Sequence, residues 1–272
     1  MLVLRKRTFG LVAGALLIAG ASLSTAASAA TDDPVPPSAA PCDFHIDPPM
    51  VTIPGTNLND LLIGTPGPDV ILAGDGDDIV YGLGGNDVIV GGLGNDKIFG
   101  GWGDDQIDGL DGDDIVFGGV GNDTIDGWEG HDVLSGDSGD DLIHGRTGND
   151  TISGEEGADF ICAGPQSDVV DAGTEDDVVF GEPDADFISG DRGVDNLLGN
   201  GGDDRLIGAD GEDNLWGGPN NDNIWGGLDD DEMFGEDGND NLSGEDGLSD
   251  DGDGGPGADT CSASTEVTVS CV

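Results

Sequence analysis

One position in every nine of this chain is always apolar. From Gly55 the sequence divides into 21 consecutive blocks of nine, without a gap, as far as Ser243. Position eight is apolar throughout, from Leu62, Ile71, Val80 and Ile89 to Leu242, and position six is Asp throughout, from Asp60 to Asp240. Position one is Gly in 18 blocks, the others being Ala73, Ala163 and Ala172, and position four is Gly in 15. Positions seven and nine accept residues as different as Lys97, Asp108, Arg205 and Asn214. Because a strand points alternate residues to opposite faces, positions seven to nine read as a short strand with only position eight inward. Such a strand cannot stand alone. Stacked in parallel on its neighbours, it joins a ladder with a continuous apolar column inside. The other six positions, ideally Gly-Gly-x-Gly-x-Asp, read as a tight turn in which glycine permits positive φ and close backbone approach. Two blocks then make one coil of 18 residues, with odd blocks in one sheet and even blocks in the other. Ten residues from Gly244 are expected to break the register before "GGPGADTCS", residues 254–262, restores one last copy.

The segment ahead of the blocks has another pattern. Arg5, Lys6 and Arg7 precede an apolar run from Leu11 to Leu23, and "AASAA" at 26–30 offers small residues for cleavage. Residues 1–30 therefore read as a signal peptide, with an apolar run too short to span a bilayer. Its removal takes three of the seven basic residues and none of the 58 acidic ones, which moves the net charge from −51 to −54. A carboxylate excess of that size repels nucleic acid and anionic membranes. It also opposes compaction, so a folded chain needs something to neutralise it.

The blocks resemble the RTX nonapeptide, GGxGxDxUx, of haemolysin-type calcium-binding proteins. The resemblance covers residues 55–262 and implies an all-β parallel β-roll, a β-solenoid, with Ca²⁺ held between same-side turns one coil apart. The residue chemistry agrees. Ca²⁺ takes six to eight oxygens in flexible geometry, and glycine-rich turns expose carbonyls beside the position-six carboxylate. No His or Cys cluster suits zinc or copper. The candidate ligands are Asp69, Asp78, Asp87, Asp96, Asp105, Asp114, Asp123, Asp132, Asp141, Asp150, Asp159, Asp195, Asp204, Asp213, Asp222 and Asp240. Pairing each block with the next but one allows at most 19 inter-turn sites, and filling them would leave a charge of about −16 from the −54.

Three blocks in succession replace the position-four glycine, by Gln166, Glu175 and Asp184. A Cβ makes positive φ costly there, so residues 163–189 are expected to form a weakened zone whose turns open, a hinge between two filled segments, or turns rebuilt around Pro165 and Pro183. Four cysteines, 42, 162, 261 and 271, favour disulfides in an exported chain. Cys261 and Cys271 are expected to pair, residues 263–272 forming a capping strand at the open end. Cys42 and Cys162 follow by elimination, across about five strand spacings or ~24 Å.

The odd-numbered sheet presents Leu61, Ile63, Ile79, Tyr81, Phe99, Ile115 and Phe117 outward. A face this apolar is expected to be covered, by residues 31–54 or by a protein partner or second copy. Trp216 and Trp225 fall in different sheets and so share no platform for a sugar.

Catalytic signals do not hold up. "GDSGD" at 136–140 looks like a serine-protease nucleophile segment, but the block register explains each of its glycines. "DGDD" at 75–78 and 111–114 lacks the closing Glu of an EF-hand, and no HExxH or GxSxG occurs. Residues 31–54 are too few for a catalytic domain. The expectation is a secreted, non-enzymatic protein that folds on binding several Ca²⁺, structural or adhesive at the envelope or matrix. The alternatives are an adhesin for surface glycans or an accessory subunit of a secreted hydrolase. Partners expected are calcium ions, with no nucleic acid and no membrane insertion.

Overall fold

The computed structural model describes residues 53–246, 250–262 and 268–270. The chain divides into two compact units, Met1–Val35 and Pro36–Val272, of which the first lies outside the described residues. The signal peptide expected over 1–30 falls there too. Among the described residues every regular element is a strand. Thirteen form one sheet, from Ile53–Pro54 and Val70–Asp75 to Thr268–Ser270, and twelve form the other, from Leu61–Ile63 to Thr260–Ser262. Spatial neighbours are alternate strands of the chain and pair in parallel, Ile71 with Ile89 and Val80 with Ile98. That 18-residue offset is the two-block coil, and the fold is a parallel β-roll. The thirteen-stranded sheet carries the even blocks and the twelve-stranded sheet the odd ones.

Position eight forms the core. From Ile71 to Leu242 these side chains are buried, and the two columns pack against each other between the sheets. Each contributes about 1.5–3 kcal/mol relative to exposure. Many strands are longer than the three residues the pattern suggests. Val70–Asp75 and Ile79–Gly84 run six, because pairing continues round the corner into positions one to three of the next block.

Three expectations need correction. The ten residues from Gly244 do not interrupt the stack. Glu232 pairs with Asp251 and Asn241 with Thr260, so the single additional residue is absorbed between Gly244 and Asp250. The turns of residues 163–189 do not open. Gln166, Glu175 and Asp184 take φ of 90, 86 and 85°, positive like the position-four glycines but short of the 108° of Gly85 and 157° of Gly130, and the register runs through unchanged. The stacked coils above and below hold each turn closed and outweigh the local cost of about 1–2 kcal/mol per residue.

The third correction concerns the outer faces. The apolar odd face is open within the single chain, Leu61 63 % exposed and Tyr81 37 %, which leaves a partner or second copy to cover it. On it Tyr81, Phe99 and Phe117 stack in succession, with centroids 4.9 and 5.4 Å apart. The outward column of the even sheet is the buried one. Its position-nine residues Asp108, Asp126, His144, Cys162, Phe180, Leu198 and Trp216 are at most 5 % exposed. Four of them, Cys162, Phe180, Leu198 and Trp216, form a hydrophobic cluster separate from the roll interior.

Candidate metal centre

Each turn carries its position-six Asp at the point where chain direction is set for the next strand. Its backbone faces the following coil. The Asp60 carbonyl accepts the Ile79 N–H at 3.0 Å, and the Asp60 N–H donates to Asp78 Oδ1 at 2.7 Å. The same N–H to Oδ1 bond recurs along the roll, at 2.6 Å from Asp123 to Asp141 and 3.2 Å from Asp231 to Asp250. The result is two carboxylate ladders, one on each edge. Asp60, Asp78, Asp96 and Asp114 begin one. Asp69, Asp87, Asp105 and Asp123 begin the other.

The second carboxylate oxygen is the informative atom. Fifteen of the sixteen candidate ligands, all but Asp69, hold a buried Oδ2 that accepts no hydrogen bond among the described residues. A buried charged oxygen left so costs several kcal/mol unless a cation or proton meets it. Asp69 differs because the coil stack begins beside it: it is half-buried, and its Oδ2 accepts the Thr65 N–H. Asp168, Asp177, Asp186, Asp231, Asp250 and Asp259 show the same orphaned Oδ2, although the sequence pattern had set them aside. The first four lie in or beside blocks without a position-four glycine, which the left-handed turns tolerate. Asp250 follows the additional residue near Gly244, which hides it from a strict nine-residue count, and Asp259 is position six of the last copy at 254–262.

Position one explains where Oδ2 points. A Cβ built on Gly91 would lie 2.5 Å from Asp96 Oδ2 and 2.8 Å from the Gly109 carbonyl oxygen. On Gly127 it would lie 2.5 Å from Asp132 Oδ2 and 2.9 Å from the Gly145 carbonyl oxygen. Thus a carboxylate of one coil and a carbonyl of the next converge on a cradle that glycine leaves open. Among the described residues no point gathers three or more His, Cys, Asp or Glu side chains. A cation in these turns must therefore take much of its shell from backbone oxygen, which suits a hard ion of large, flexible coordination number. Ala73, Ala163 and Ala172 put a methyl group at the equivalent place in their blocks.

A second kind of ladder, one on each edge, was absent from the sequence reading. Position-five side chains accept from the next coil's backbone: the Asp77 N–H donates to Asn59 Oδ1 at 3.2 Å and the Asn95 N–H to Asp77 Oδ1 at 3.1 Å. His131 Nδ1 serves Asn149 in the same way at 2.8 Å. The signal was present, since Asn and Asp dominate position five, residues able to accept from a neighbouring turn.

Electrostatics sharpen the picture. Burial raises Asp114 to about 8, with the Asp132, Asp96 and Asp113 carboxylates adding to the rise. Asp186 is pushed up to about 9 by burial and then by Asp168, Asp204 and Asp184. Without a counter-ion these groups hold protons that ordinary carboxylates release.

The model of the RTX calcium-binding nonapeptide repeat matches in eight overlapping segments between residues 54 and 249. This chain belongs to the RTX calcium-binding repeat family. Calcium is the ion such repeats bind, and the open cradle with its orphaned oxygen fits it. A comparison with curated proteins finds no match. Among the described residues no helix of this RTX roll is long and apolar enough to cross a membrane.

Proposed function

We propose that the protein is a secreted, non-catalytic RTX roll that binds several Ca²⁺ and uses them to fold, with a structural or interaction role at the cell envelope or in the extracellular matrix. The observation that carries this reading is the unbroken row of buried, unpartnered Oδ2 atoms along both edges. Metal-free, successive carboxylates of one ladder stand about one strand spacing apart, ~4.8 Å, where like charges cost ~0.9 kcal/mol per pair even in water. Summed along two ladders, that repulsion rivals the whole stability of a domain, about 5–15 kcal/mol. Ions bound between paired turns favour only the coiled state, so mass action draws the chain into the roll. Export follows the same logic: low cytosolic Ca²⁺ leaves the chain unfolded for translocation, and higher external Ca²⁺ folds it. The ligands are the sixteen candidates, with Asp69 at the margin, extended by the six further aspartates above.

The aromatic ladder of exposed Tyr81 and half-buried Phe99 and Phe117, with exposed Leu61 and Ile79 beside it, supports a protein-binding or self-association role for the odd face. A glycan platform gains less support, because Trp216 is buried in the even sheet while Trp225 lies in the odd one. The test of the main reading is circular dichroism of residues 31–272 during Ca²⁺ titration, with Mg²⁺ as control. The expected result is a disordered spectrum in chelator and a cooperative gain of β signal with Ca²⁺ alone. A β-rich spectrum in excess chelator at neutral pH would refute the coupling.

A further inference from the structure

The outward column of the even sheet behaves as an interior. Asp126, 1 % exposed, receives a paired contact from Arg146, Nε at 3.0 Å and Nη2 at 2.8 Å, with the guanidinium 5.5 Å over Trp128. Toward the C-terminal end, Phe180 is 1 % exposed and Trp216 5 %. Large outward residues of the open odd sheet are far more exposed, Ile63 at 55 % and Tyr81 at 37 %, and its most buried outward side chain, the small Ser135, still stands at 8 %. Every described strand belongs to one of the two sheets, so no described strand supplies the cover.

We propose that residues 36–52 of the same chain lie across this face as a strap, pinned by a disulfide between Cys42 and Cys162. Four observations converge. The first described strand, Ile53–Pro54, pairs into the even sheet, so residue 52 leaves from the edge of the sheet whose outer face is buried.

The second observation is reach. Cys162 lies six strand spacings from Ile53, roughly 29 Å, and the eleven residues from 42 to 53 extend to ~36 Å. The third concerns the cysteines. Neither Cys162 nor Cys261 is a free thiol, and they cannot pair with each other, being in different sheets near the middle and the end of the roll. Ser270, the described residue next to Cys271 in the sequence, ends the last even-sheet strand six spacings or roughly 29 Å from Cys162, far beyond the reach of one further residue, which leaves Cys42.

The fourth is the strap's own pattern. Cys42, Phe44 and Ile46 alternate with Asp43, His45 and Asp47, so an extended chain turns the first three to one side. Pro36, Pro37 and Pro41 favour an extended polyproline conformation of ~3.1 Å per residue, so residues 36–41 span the ~14 Å from Cys162 to Trp216 and meet Phe180 and Leu198 on the way. The bridge forms by exchange: the two thiols transfer two protons and two electrons to a disulfide oxidant, which leaves as its dithiol.

Non-reducing peptide mapping of the Ca²⁺-loaded protein should recover one peptide pair joining Cys42 to Cys162 within a monomer. Cys42 joined to Cys261 or Cys271, or Cys162 joined to a second copy, would overturn the pin. Hydroxyl-radical footprinting of the same full-length sample decides the cover. Phe180, Leu198 and Trp216 should label several-fold more slowly than Tyr81 and Trp102 at every protein concentration. Equal labelling rates, or protection lost on dilution, would overturn the strap, the latter in favour of a second copy as the cover. In Cys42→Ser the Ca²⁺-dependent dichroism should persist while Trp216 labelling rises. Unchanged Trp216 labelling in that variant would show that the bridge does not hold the strap.

Discussion

At the scale of single residues, two glycine positions do different work. Position one is kept open for oxygen, since a Cβ there meets the Asp Oδ2 of its own block and a carbonyl of the next coil. Gly127→Ala should therefore act on ion binding first. The expected outcome is a higher Ca²⁺ midpoint by calorimetry with fewer ions bound at saturation, and a folding penalty of about 1–3 kcal/mol from the crowded contact. Position four combines positive φ with close approach of the neighbouring coil: a Cβ on Gly130 would overlap the Gly112 carbonyl oxygen. Glu175 sits at φ 86°, so Glu175→Gly should relieve about 1 kcal/mol of left-handed strain and raise the melting temperature in saturating Ca²⁺. A fall in that temperature would show that the Glu175 side chain stabilises the turn in some other way.

The natural element of this protein is the coil of two blocks, because each strand pairs with the one 18 residues away. Deleting residues 100–117 removes one strand from each sheet and leaves the rest in register. Such a variant should fold in Ca²⁺, with a melting temperature within a few degrees of the parent and fewer bound ions. Deleting only residues 100–108 exchanges the sheets of everything downstream. It would carry Cys162, Phe180 and Trp216 to the side opposite the entering chain and set Tyr81 and Phe99 in line with residues of the other face. The expected result is loss of the native disulfide pattern and exposure of apolar surface, read by peptide mapping and dye binding. The contrast between the two deletions is the check: equal tolerance would mean that the faces are interchangeable.

For the whole molecule the deciding quantity is charge, −51 for the chain against seven basic residues. The buried aspartates of the metal-free roll have raised pKa values, burial first among the causes, reaching about 8 at Asp114 and Asp123 and about 9 at Asp186. A carboxylate whose folded pKa is raised keeps its proton in the roll at a pH where the unfolded chain has lost it. The metal-free roll therefore loses stability as pH climbs from about 4 to about 9, and gains it as pH falls. In chelator, dichroism should show more β structure at pH 5 than at pH 8. With Ca²⁺ present the same protons compete for the ligands, so the Ca²⁺ midpoint should rise as pH falls from 8 to 6, with protons released on binding. A midpoint independent of pH would show that the aspartates bind no protons in the metal-free state.

The nine-residue period determined a great deal without coordinates. Invariant Asp at six and an apolar residue at eight specify a two-sheet parallel roll, because period-two alternation leaves only one inward position and only stacking can bury it. The same count located the two carboxylate rows, from Asp78 to Asp240, whose Oδ2 atoms are buried. What it could not reach depends on neighbours brought together across coils. Whether Gln166, Glu175 and Asp184 open a turn is decided by the stacked turns above and below, which appear nowhere in the local sequence. The partnership of Asp77 with Asn59 and Asn95 spans 18 residues and looks, along the chain, like an unconstrained position. Most of all, the two outer faces are equally permissive in the repeat, yet the buried one is the even face. That choice rests on where the chain enters the stack and where Cys162 falls on it, and both are properties of the assembled roll.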